Sequence, residues 1–125
     1  MRKELQEELY RKYPKLYRQH TLPMQQTCMC WGFCCGDGWY DLIDNLSEKL
    51  EAYGGKVEAV QVKEKFGGLR FYLGAIDSEY ADEIYKHVEE AERLSYKTCE
   101  QCGKPGSTKG GGWVRTLCDE CDKKE

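Results

Sequence analysis

The chain has 125 residues, 40% of them hydrophobic and 33% charged, which is one domain's worth of material with ample apolar content for a core and little scope for long disorder. Its formal charge of −3 is uneven: six Lys/Arg oppose three acids in residues 1–22, seven oppose fourteen in 23–96, and six oppose five in 97–125. An acidic centre between weakly basic ends is a poor footprint for wrapping duplex DNA, where phosphate neutralisation supplies most of the affinity, though it leaves room for a small basic patch, and no apolar run approaches the ~18–20 residues of a membrane span.

In chain order, residues 2–13 read as a short amphipathic helix with Leu5 and Leu9 one turn apart, stopped by Pro14. The charged opening MRKELQEELYRKYP lacks the apolar centre of a secretory signal, so a cytoplasmic, reducing setting is expected. Apolar residues at Trp39, Ile43, Leu46, Leu50 and Tyr53 predict a second helix, with Asp37 as its cap and Gly54-Gly55 as its end. Val57 to Leu73 alternates around Gly67-Gly68, which predicts a β-hairpin pairing Phe66 with Leu69. One face then holds Val60, Val62, Phe66, Leu69, Phe71 and Leu73 with Glu64 as its polar member, and the other Gln61, Lys63, Lys65, Arg70 and Tyr72. A third helix is predicted over about 78–96, capped by Asp77, with Tyr80, Ile84, Val88 and Ala91 inward. The expected fold is α+β, helices packed on a small antiparallel sheet over residues 1–96, followed by a module over 97–125. A hairpin alone is marginally stable, so a third strand or a second copy in a homo-oligomer is needed to complete the sheet.

The chemistry is clearest at the end of the chain. Cys99 and Cys102 form one C-x2-C pair and Cys118 and Cys121 another, with fifteen residues between: the spacing of a four-cysteine zinc ribbon. Zinc takes four thiolates tetrahedrally, each knuckle aiming two sulfurs inward, and a site so filled has no position for substrate. One structural Zn²⁺ is therefore expected. The stretch CMCWGFCCGDGW at 28–39 carries the other four cysteines. Cys28, Cys30, Cys34 and Cys35 read either as a second metal or thiol cluster, completed by His20 or Asp37, or as small apolar side chains packed with Trp31, Phe33 and Trp39. Packing is the preferred reading, because adjacent cysteines point apart and the spacing matches no common knuckle. If one thiol here is reactive, Cys35 at the start of the second helix is the candidate.

Two surfaces read as binding sites. Lys63, Lys65, Arg70 and Tyr72 form a cationic stripe with one aromatic on the hairpin, though Arg70 also has the option of turning to Asp37 or Asp41. Trp113 and Arg115 stand near the ribbon tip, with Lys104, Ser107, Thr108 and Lys109 around them. The two histidines, His20 and His87, sit in no nucleophile or acid–base motif, so no enzyme is expected.

The segments TCMCWGF, CGDGWYDLIDNL, VKEKFGGLRFY and CEQCG resemble small proteins encoded by bacteriophages, prophages and their bacterial hosts. The resemblance implies a small accessory protein of phage type. The function expected first is binding of a host protein, a defence system among the targets; the alternatives are single-stranded nucleic acid on the ribbon and hairpin face, and capture of a small signalling nucleotide by Arg70, Tyr72 and tryptophans.

Overall fold

The computed structural model describes residues 1–123. Helix α1 spans Lys3–Lys12 and buries Leu9; Pro14 follows its end, and Tyr13, Leu16 and Tyr17 turn into the core. Its helical period thus delivers one stripe to the interior and leaves the charged side in solvent.

The sheet has three strands, and the third comes from inside the cysteine cluster. β1 (Phe33–Cys34) runs parallel to β2 (Ala59–Lys65), and β3 (Gly68–Leu73) returns antiparallel, in the order β1-β2-β3. The sheet is therefore completed within one chain. The register differs from the expected one: Lys65 lies opposite Gly68, Glu64 opposite Leu69 and Val62 opposite Phe71. The turn is Phe66-Gly67 rather than Gly67-Gly68, and both turn residues have positive φ, 55° and 85°, as a type I′ hairpin requires. Gly68 is kept for space instead: a Cβ there would lie 2.3 Å from the ring of Tyr96.

A register shift of two residues preserves the faces. Val62, Leu69 and Phe71 are buried, while Lys63, Arg70 and Tyr72 point away from the core. Two positions are corrected. Phe66, expected inside, is carried to the turn tip and is 69% exposed. An irregularity between Ala59 and Gln61 buries Ala59 in place of Val60.

Helices α2 (Tyr40–Glu51) and α3 (Ser78–Ser95) pack on each other, and α3 packs on β3. Ile43, Leu46 and Leu50 meet Ile84, Val88 and Ala91 in one core with Trp39, Phe33 and Tyr17. Neither expected side-chain cap forms. The Asp37 carboxylate accepts the Arg2 backbone N–H at 2.7 Å and pairs with its guanidinium at 3.1 Å, and at Asp77 the backbone carbonyl accepts the Tyr80 N–H.

After α3 the chain forms the antiparallel pair β4 (Ser107–Lys109) and β5 (Arg115–Leu117), then the short helix α4 (Asp119–Lys123). Residues 124 and 125 of the expected module lie outside the described residues. Among the described residues, no helix is long and apolar enough to cross a membrane.

Candidate metal centre and contact surface

Cys99 and Cys102 lie in the turn after α3, Cys118 follows β5, and Cys121 sits in α4. The four Sγ atoms lie within 4.8 Å of one another, with Cys102 and Cys118 at 3.6 Å. A tetrahedral ion with ~2.3 Å bonds to sulfur sets the sulfurs about 3.8 Å apart, so the set can hold one metal ion. Burial works against ionising Cys99, but backbone N–H groups of Cys118, Cys102 and Gln101 outweigh it and bring the thiol down to about 6. Cys121, sharing a hydrogen bond with Cys118, is pushed up to about 12. Without metal the cluster holds its protons unequally, and an incoming ion must displace those that remain.

The CCGDGW segment is the seat on which this centre rests. Gly38 N–H donates to the Glu100 carbonyl at 2.7 Å, Gly36 N–H to the Glu100 carboxylate at 2.8 Å, and the Trp39 indole N–H to the Thr98 carbonyl at 2.9 Å. The approach is backbone on backbone: a Cβ at Gly38 would meet the Cys99 carbonyl at 2.2 Å and the Gly103 nitrogen at 2.6 Å. Glu100 is 6% exposed; burial raises its carboxyl, opposed by the Gly36 N–H and by Arg115, whose guanidinium lies 3.9 Å away. The ribbon is thus bolted to the core across the expected boundary at residue 97.

The four cysteines of that segment do not converge. Cys28 and Cys34 are exposed, Cys30 is half-buried, and Cys35 alone enters the core. The thiols of Cys30 and Cys34 donate locally, to the carbonyls of Thr27 and Trp31. His20 stacks on Tyr10 at 3.9 Å, and Asp37 is held by Arg2, so neither completes a ligand set with them. Packing therefore holds for Cys35, Phe33 and Trp39, whereas Trp31 is 64% exposed. Cys35 is the reverse of a reactive thiolate, because burial pushes its thiol up to about 12.

The cationic stripe is partly spoken for. Arg70 pairs with Glu92 of α3 at 2.7 Å, not with Asp37 or Asp41. Lys63 sits 6.0 Å from the Tyr72 ring centroid and Lys65 5.6 Å from that of Phe66. At the ribbon tip Lys109 pairs with Asp119 at 2.6 Å, while Trp113 is 80% exposed and does not fold back on the sulfurs. The two expected surfaces meet. The buried Thr116 hydroxyl donates to the Gly67 carbonyl at 2.6 Å, and Phe66 and Trp113 then flank one cleft with Lys65, Glu64, Gly112 and Val114. Phe66 and the seat glycines Gly36 and Gly38 are the residues that sequence reasoning missed. No family model, curated protein or solved structure matches the chain.

Proposed function

We propose that this is a non-enzymatic zinc-binding protein that docks on a protein partner through the surface joining Phe66 and Trp113. The observation that carries the reading is Phe66 itself. Type I′ turns take Asn-Gly because both central residues need positive φ, and a bulky residue there costs on the order of 1 kcal/mol. Phe66 accepts that conformation at φ 55° and leaves its ring 69% exposed. A residue that is strained and unburied contributes little to folding, and aromatics are prominent among the anchors of protein interfaces.

Zinc is the ion that four thiolates in two C-x2-C knuckles fit best, and with all positions filled its role is to fold the ribbon that carries Trp113. On the resemblance to phage-type proteins, we place the partner in the host cytoplasm, with components of defence systems the first to try. The test is co-purification from host cells with wild type, Phe66→Ala and Trp113→Ala. Both exposed side chains can be truncated without loss of fold, so the variants are expected to stay zinc-loaded and lose the partner. A near-stoichiometric partner retained by both variants overturns the reading.

A second reading, single-stranded nucleic acid, draws on Lys63 lying over Tyr72 on the sheet's outer face. It requires affinity that falls steeply with salt and is lost in Tyr72→Ala. Nucleotide capture has less behind it, since Arg70 is engaged by Glu92 and Trp39 is buried with its indole bonded to Thr98.

A further inference from the structure

We infer that the cleft takes a short extended peptide segment of the partner, one large apolar side chain entering between Phe66 and Trp113 and acidic residues lying against Lys65 and Lys63; this rests on the protein-docking reading above. The cleft is about 330 Å³, room for one side chain and not for a folded element, and Gly112 leaves part of its wall open to backbone. It is preformed: a Cβ at Gly67 would already lie 3.3 Å from Val114 and Thr116, so the two hairpins have no slack between them. Preformed clefts bind without an ordering cost on their own side.

Charge then selects the occupant. Among the described residues Lys63 and Lys65 lie near aromatic rings but form no ion pair, whereas Arg70, Lys109 and Arg115 each have an acidic neighbour. Lys63 and Lys65 are two apart on β2, so they share a face about 7 Å apart, the spacing of alternate side chains in an extended peptide. Phosphates of a single strand match that spacing too, so a single strand is the competing occupant that the test includes. Glu64 lines the cleft and is engaged locally, its carboxylate accepting the Gly67 N–H at 2.8 Å. Strand alternation turns Lys63 and Lys65 to the other face from Glu64, so the apolar side chain belongs in the cleft and the acidic residues beside the two lysines.

The experiment is amide NMR titration of the zinc-loaded full chain with a blocked peptide, Gly-Asp-Glu-Phe-Glu-Asp-Gly. Its controls are the same peptide with Ala for Phe, one with Lys for every acid, and a short oligothymidylate. The acidic Phe peptide is expected to shift Phe66, Gly67 and Gly112 to Val114, with the two control peptides weaker by about tenfold or more. Lys65→Glu should abolish the shifts without changing the fold, and Trp113→Ala should do the same. Equal binding of the Lys peptide, tighter binding of oligothymidylate, or no shift at the two tips overturns the inference. If the peptides fail while Phe66→Ala and Trp113→Ala still cost the chain its native partner, only this inference falls and the docking surface stands.

Discussion

Gly38 has no room for a methyl group, because the knuckle's own backbone occupies the space: the Cys99 carbonyl would sit 2.2 Å from a Cβ there. The atoms it would meet all belong to backbone, so the ribbon must move. Gly38→Ala is expected to cost roughly 3 kcal/mol, the upper range of overpacking, and to weaken zinc retention in a chelator competition. Gly111→Ala, at the open ribbon tip where no atom lies within 4 Å, is the control and should be neutral. The fate of Cys35 is a second residue-scale test. Burial lifts its thiol from about 9 to about 12, so the unfolded chain ionises there first. Its contribution to stability is whole below about pH 9 and drains away between 9 and 12 as the unfolded state loses the proton. Urea unfolding at pH 8 and pH 10.5 should show a smaller drop for Cys35→Ala than for wild type; equal drops would mean that Cys35 is not what titrates. Native alkylation should reach Cys28 and Cys34 and spare Cys35. The four-cysteine centre was legible at this scale because metal spacing is a local property of sequence. The seat was not, since nothing in GDG says which backbone will lie against it sixty residues later.

At the scale of elements, helical periodicity found α1, α2 and α3, whose buried residues match the repeating apolar positions, and β alternation found the hairpin. Its register was misread for a physical reason. Gly67-Gly68 is the better turn by propensity, but Gly68 is taken into β3, where it lies against the ring of Tyr96, and the turn falls on Phe66-Gly67. Arg70 likewise turned to Glu92, an i-to-remote pair that no strand pattern encodes. A rule broken at one residue in an otherwise consistent element is where a functional or strained position is expected, and the proposed docking role of Phe66 is tested there. Phe66→Asn restores the favoured Asn-Gly turn, so it should raise stability by about 1 kcal/mol in denaturant unfolding while abolishing partner capture. A variant that is less stable than wild type would show that the ring is kept for folding rather than for contact.

At the scale of the whole molecule, the chain has two buried clusters of very different strength. One runs from Leu9 to Ala91 through both long helices and the sheet; the other is Leu117 with three of the cysteines. The small one has almost no apolar surface of its own, so on the proposed zinc reading the metal supplies most of its folding free energy. The two are joined by hydrogen bonds at Gly36, Gly38, Trp39 and Gly67, which means that undoing the ribbon is felt in the core. Stripping the ion with a chelator is expected to leave the helices and sheet folded, because the large cluster needs no metal. The Trp39 indole, however, loses its acceptor at Thr98, and Gly36 and Gly38 lose theirs at Glu100. At about 1 kcal/mol for each lost bond, and several degrees per kcal/mol for a domain of this size, Tm should fall by roughly 10 °C. The Trp39 emission should change with it, although the ring is remote from the sulfurs in sequence. Native mass spectrometry before and after chelation fixes the stoichiometry. One zinc per chain, with Tm and Trp39 fluorescence moving together, is the outcome this joint requires. Two zincs would return Cys28, Cys30, Cys34 and Cys35 to the ligand list, and a ribbon that melts with no effect on Trp39 would show that the seat does not couple the two clusters.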